Sequence, residues 1–482
     1  MKQRAGSTMA GWEERFGEYV ERLGDVLGHA DRRAPLRAYC TGLLLPGERK
    51  SVEPMAARVD PARVGAAHQS LHHFVAKAAW DDAALLGAVR DYALPAMLER
   101  GPVRAWLVDD TGLPKKGRLS VGVARQYCGQ LGKRDNCQVA VTLSVATEAA
   151  SLPVAYRLYL PEAWAADPAR RALAGVPEEV GFATKPSIAL DQIGQALADG
   201  VPPGVVVTDA GYGNDTDFRD GATALGLPYV AGIQGTTGLW PPGTGPLPAA
   251  PRSGRGRPPK RLRRDAAHRP LAAGRLAAGL PAGAWKAVTW REGTAGPLAS
   301  RFAAVRVRPA HDDFRLSEPR AEEWLLAEWP EGEDEPTDYW LSTLPATAAL
   351  EELVATARLR WRIERDFEEL KQELGLGHFE GRGWRGFHHH ASLCVAAYGF
   401  LVAERCRFSP PGWRPRLAGP ERPTDYRPRG SPRAPGAAQP GLDRDPASAP
   451  GGGADAAPAP VPLLPAGLRT AASAHARQLM TP

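Results

Sequence analysis

The chain has 482 residues, enough for two or three domains around a large core, and no apolar run of membrane-spanning length. Sixty Lys and Arg against 54 Asp and Glu give a net charge of +6, a mild basic excess that permits a nucleic-acid partner without requiring one. None of the five cysteines falls in a C-x-x-C pair, which argues against a zinc ribbon or a disulfide framework, and no signal-like apolar stretch opens the chain; the expectation is a cytoplasmic protein.

Residues 1–100 read as helical. Trp12, Phe16, Tyr19, Val20 and Leu23 recur at helical spacing, and 71–80 and 85–98 suggest further helices. A helical domain with scattered Arg, Lys and His suits a DNA groove as well as it suits an ordinary bundle. The period then changes. RAWLVDD (104–110), SVGVARQYC (120–128), NCQVAVTLSVAT (136–147) and LPVAYRLYLP (152–161) are β-type runs. A helix over 187–198, a strand GVVVTD (204–209), a helix over 215–225 and a strand PYVAGI (228–233) follow. Residues 101–233 thus form the first part of an α/β core with a mixed sheet and flanking helices.

Residues 234–345 read as an insertion, a Gly/Pro-rich basic loop followed by strands. Residues 346–407 return to core helices. The first runs from Arg358 to Lys371, with Ile363, Phe367, Leu370 and Leu374 as its apolar stripe; the second spans about 386–406. From 408 to 482 Pro, Ala, Gly and Arg dominate, a composition unable to offset its ordering entropy, so this tail is expected to be disordered.

Three carboxylates stand where a metal site could form. Asp110 or Asp109 ends the first strand, Asp209 ends a later one, and Glu364 lies on the helix beside Arg360 and Lys371, four and seven residues away. Strand ends share one rim of a sheet, and carboxylate oxygens suit a hard cation such as Mg²⁺. Asp109 and Asp110 point to opposite faces, so only one is expected to ligate directly.

This order of Asp, Asp and Glu resembles a DDE transposase with an RNase H-like core. More narrowly, it resembles the bacterial insertion-sequence transposases with a Tyr-x2-Arg-x3-Glu-x6-Lys signature. Arg360, Glu364 and Lys371 match that spacing, while Ala357 holds the Tyr position. DDTG (109–112), DAGYG (209–213) and YWLSTLP (339–345) are similar to the same family, and the resemblance covers about residues 100–406. It implies a DNA transposase that cleaves the ends of its element and joins the 3′-hydroxyl to target DNA through two Mg²⁺ or Mn²⁺ ions. The implied ligands are Asp110, which precedes Thr111 as the family's acid precedes Thr or Ser, with Asp209 and Glu364; Asp109 and Glu368 are rivals. Arg360 and Lys371 would grip phosphate. The implied partners are terminal inverted repeats and target DNA in the bacterial nucleoid, with no membrane and with scope for a homo-oligomer on DNA. An RNase H-like nuclease without strand transfer and an inactive DNA-binding relic are the alternatives.

Secondary signals surround this set. GRGRPPKR (254–261) is similar to an AT-hook, although a basic loop gripping phosphates through Arg255, Arg257, Lys260 and Arg261 is the favoured reading. Lys115 and Lys116 follow the first acid and suit either a DNA contact or a solvated turn. His388, His389 and His390 diverge by about 100° each on a helix and cannot share one ion.

Overall fold

The computed structural model describes residues 2–251, 254, 259–293 and 296–408, with side chains left out for 2–10 and 292–293. The tail from 409, together with Arg255 and Arg257 of the basic loop, lies outside the described residues. Helices α1 (Lys2–Asp25), α2 (Arg33–Leu44), α3 (Val52–Val59), α4 (Val64–Ala76) and α5 (Asp82–Leu98) open the chain. Strands β1 (Ala105–Pro114), β2 (Ala124–Cys128), β3 (Lys133–Ala146) and β4 (Ser151–Leu158) follow, then short helices α6 (Glu162–Ala165) and α7 (Pro168–Ala174). Next come α8 (Lys185–Ala198), β5 (Val205–Thr208), α9 (Ala210–Gly213), α10 (Thr216–Ala224) and β6 (Tyr229–Ile233). Local chemistry explains several starts. Asp81, Thr184 and Asp215 each cap the helix that follows with a side-chain oxygen.

The sheet runs β2-β3-β1-β5-β6 and then continues. Its centre, β1-β5-β6, is parallel, whereas β2, β3 and β4 pair antiparallel. This is the mixed sheet with flanking helices of an RNase H-like core. Residues 234–345 contribute β7 (Gly238–Trp240), β8 (Leu271–Ala272), α11 (Ala273–Ala278), β9 (Lys286–Gly293), β10 (Gly296–Pro309), β11 (Glu323–Trp329) and β12 (Asp338–Ser342). β12 pairs antiparallel with β6, so these strands lengthen the core sheet instead of forming one of their own. Ala357, at the position of the family's Tyr, is buried beside this sheet.

The expected helix over 358–371 is two. α12 (Leu350–Arg358) ends, and α13 (Trp361–Gln372) starts after a turn at Leu359–Arg360 closed by i to i+3 bonds. Two nearby cations meet different acids. Arg358 meets buried Glu328 among the rings of Trp290, Phe302 and Trp340, while Arg360 turns to β1.

Helix α14 (Trp384–Phe408) joins the halves of the molecule. Every residue from Gly386 to Glu404 is buried. It packs on α2, α4 and α5 on one side and β4 on the other, so the N-terminal helices share one apolar core with the sheet. At Gly399 a Cβ would come within 2.5 Å of Val89, which is why the α14–α5 crossing is so close. The three histidines are structural. His388 accepts from the Leu158 amide, His389 lies between the Val75 and Trp80 carbonyls, and His390 meets Tyr39 and the Gly375 carbonyl.

Asp366 anchors α13 to this frame. Its Oδ1 accepts from Ser151 at 2.6 Å and Tyr398 at 2.8 Å, while Oδ2 is buried without a partner. Burial pushes its carboxyl up to about 6, against the pull of those two hydroxyls. The folded chain therefore binds this proton more tightly than the unfolded chain, where Asp titrates near ~3.9. The group favours folding below about pH 4, and that contribution is lost as pH rises to about 6. Asp366→Asn should remove this slope. Between pH 4 and 7 the wild type should lose about 2 kcal/mol more than the variant in urea melts. Parallel pH profiles would contradict it.

Candidate active site

The geometry of the site follows from strand register. β1 and β5 run parallel with Ala105 opposite Val205 and Val108 opposite Thr208. Residues directly across from each other share a face, and alternate residues share it too. Ala105, Leu107, Val205 and Val207 pack with Leu353, Val354, Ile363 and Phe367 of α12 and α13. Trp106, Val108 and Val206 face the opposite core. By the same alternation Asp109, which lies inside β1 and does not end it as expected, and Asp209, just past β5, fall on the α13 face, and Asp110 falls on the α8 face.

Side-chain contacts agree with this parity. Arg360 Nη1 donates to Asp109 at 2.8 Å, and Nη2 donates to Glu364 one turn along the helix. Asp110 instead pairs with Lys185 Nζ at 2.8 Å, at the start of α8. Asp110, the expected ligand, therefore stands apart from Glu364, and its rival Asp109 stands with it. Asp209 caps α9 through the Gly211 amide at 2.9 Å. A Cβ on Gly213 would collide with the Gly232 carbonyl, so the Gly residues of DAGYG let α9 settle onto β6.

Burial pushes the Asp109 carboxyl up to about 8, Arg360 pulls it down, and the charges of Asp209 and Asp110 push it up again. Tyr212 lies buried behind the acids, and burial, then Asp110, Asp109 and Asp209, hold it protonated. Lys371 is half-buried. Burial lowers its ammonium, while Cys128, Asp109 and Asp110 favour the charge.

Glu364 is 53% exposed at its side chain. Glu368 is engaged by Arg365 at 2.9 Å and makes no contact with Arg360. Among the described residues no three His, Cys, Asp or Glu side chains already converge on one point. The donor chemistry nevertheless fits a hard cation. All three acids offer oxygen, Asp109 is only 15% exposed at its side chain and calls for a positive partner, and the Arg360 guanidinium supplies that charge between Asp109 and Glu364.

The remaining expected contacts are dispersed. Lys115 donates to the Phe379 carbonyl at 2.8 Å, and burial lowers it to about 8; Lys116 is exposed. Lys260 and Arg261 are exposed on the insertion. Lys185 was not read as a site residue. Its signal was the Thr184 cap ahead of Pro186, which starts a helix at the same rim as the strand ends.

A family model described as DDE superfamily endonuclease matches residues 22–297, more than half of the chain. The chain belongs to this family. The matched span includes Asp109, Asp110 and Asp209 and ends before Glu364. The chain is also 31% identical over 169 residues to a protein of Microchaete diplosiphon named "Probable transposase for insertion sequence element IS701". That match covers 34% of this chain and 40% of the relative, so the chain spans about two fifths of the relative's length.

Arg360 gives a direct test of the geometry. Arg360→Met should leave Asp109 buried without its cation and cost about 2–4 kcal/mol. Glu364→Gln, on the exposed arm of the same bridge, should cost under about 1 kcal/mol. Denaturant melts of the two variants check this; equal small losses would contradict it.

Proposed function

We propose that this endonuclease is a DNA transposase whose carboxylate set is Asp109, Asp209 and Glu364. The observation that carries this is the shared face of β1 and β5 opposite α13, with Arg360 spanning Asp109 and Glu364. Family membership supports phosphodiester cleavage, and the name of the partial relative supports transposition.

Each residue has a task in this reading. Asp109 and Asp209 form a fixed acidic pair because neighbouring strands hold them. Glu364 completes the set from a helix whose stripe is locked in the core while its own side chain stays exposed and free to turn inward. Arg360 ties Asp109 to Glu364 through its two terminal nitrogens and keeps positive charge beside the phosphate, and Lys371 adds a point charge on the same helix. Divalent cations held by the three acids, Mg²⁺ or Mn²⁺ and two in number, would supply Lewis-acid charge at the scissile phosphate and favour deprotonation of the attacking hydroxyl. The substrates are then the terminal repeats of the element and a target duplex, joined through the freed 3′-hydroxyl, in the bacterial nucleoid. Two DNA ends call for more than one copy of the chain in the DNA complex.

The choice between Glu364 and Glu368 tests the assignment. Glu364→Gln should reduce nicking of a repeat-ended duplex in Mg²⁺ or Mn²⁺ by at least about 100-fold, as expected when charge stabilisation at the reacting phosphate is lost. Its gel shift in Ca²⁺ should persist. Glu368→Gln should nick within a few-fold of the wild type. Joined products from wild-type reactions with target plasmid check strand transfer. Active Glu364→Gln with inactive Glu368→Gln would overturn the assignment, and nicking without joined products would reduce the reading to a nuclease.

A further inference from the structure

Between Asp110 and Asp135 the chain has no acidic residue but carries six cations, Lys115, Lys116, Arg118, Arg125, Lys133 and Arg134. Lys115 is tied to the Phe379 carbonyl; the other five are exposed. They lie in the β2–β3 ribbon and in the loop before it. Among the described residues, only Lys133 of these five makes an ion pair, with Asp135 at 3.2 Å.

Register gathers them. Tyr127 pairs with Arg134, and Arg125 with Asn136, so Arg125, Tyr127, Arg134 and Asn136 share one face of the ribbon. The Asn136 amide donates to the Lys115 carbonyl at 2.6 Å and the Gly117 carbonyl at 2.9 Å. That pair of bonds fastens the loop bearing Lys116 and Arg118 to the same ribbon. Tyr127 stands 58% exposed among these cations, an unusual place for a large aromatic ring. The ribbon is the end of the sheet nearest the acids. Cys128, the last residue of β2, packs on Gly112 of β1, where a Cβ would come within 2.8 Å of its sulfur. Gly112 is three residues beyond Asp109.

A surface of unpaired cations around an exposed aromatic, beside a pocket of carboxylates, is complementary to a polyanion and directs it past the acids. We propose that the β2–β3 ribbon is a DNA-backbone clamp flanking the acidic site, with Arg118, Arg125 and Arg134 on phosphates and Tyr127 against the sugar or base beside them. The occupant, duplex DNA, rests on the transposase reading.

The test is binding of a fluorescently labelled duplex by the full chain, followed by anisotropy across a NaCl series in Ca²⁺. Neutralising Arg118, Arg125 and Arg134 to Gln should weaken binding at least about tenfold at low salt. It should also flatten the slope of log K against log salt by about 2–3, since each lost phosphate contact on duplex DNA removes roughly 0.9. Arg134→Lys, which keeps the charge, should retain the wild-type slope. All three side chains are exposed, so the melting temperature should stay near the wild type's. Wild-type affinity and slope in the neutralised variant would overturn the clamp and leave the transposase reading standing. So would self-association of that variant with unchanged DNA binding, because the charges would then serve only to keep the β2 edge from pairing with other chains. A wild-type chain that bound no duplex would remove the transposase reading and the clamp with it.

Discussion

The site depends on one ion-paired bridge. Arg360 reaches from the turn ahead of α13 to Asp109 on β1 and to Glu364 on its own helix. Two residues apart on a helical path, Arg358 and Arg360 point about 200° apart. Arg358 neutralises Glu328 under the outer strands while Arg360 neutralises Asp109 at the centre. Buried carboxylates in a low-dielectric setting need such partners, and removing one leaves the other at heavy cost.

The rest of the fold holds that bridge still. α13 is gripped from behind by Asp366 through Ser151 of β4 and Tyr398 of α14. Its exit loop is gripped from three elements: Lys115, just past β1, donates to the Phe379 carbonyl, His390 of α14 contacts the Gly375 carbonyl, and the Lys50 amide, between α2 and α3, donates to His378 at 3.0 Å. The N-terminal helices are thus part of the frame of the acidic site, whatever further surface they offer. A cluster of acids at one rim is electrostatically unfavourable, and this frame, more than any attraction among the acids, keeps it assembled.

Much of this was legible in the residues. The order of helices and strands followed from strong period-2 and period-3.6 patterns, and the stripe of Ile363, Phe367 and Leu370 identified the helix that carries Glu364. The Asp, Asp, Glu order alone points to the family. What local pattern could not supply was parity. Alternation shows that Asp109 and Asp110 diverge, but which of them looks at α13 depends on Ala105 and Leu107 meeting Leu353 and Ile363, roughly 250 residues away in the chain. The Thr111 neighbour favours Asp110 by resemblance, whereas strand parity sets Asp109 toward α13. The same non-locality hid the pairing of β12 with β6 and the fixing of Lys115 by Phe379, which left a half-buried lysine looking like a solvated one. The helix break was hidden for a different reason, because the amphipathic pattern runs through it without a Gly or Pro to mark it.

The central claim is that the α13 face of β1 is the working face. It is tested most directly by isosteric neutralisation of the two adjacent acids, Asp109→Asn and Asp110→Asn, each assayed for Mn²⁺-dependent nicking of a repeat-ended duplex with protein that melts cooperatively. The account predicts that Asp109→Asn abolishes nicking while Asp110→Asn, whose partner is Lys185 on the other face, retains it within about tenfold, the scale of one modest positioning defect. An active Asp109→Asn beside an inactive Asp110→Asn would contradict it.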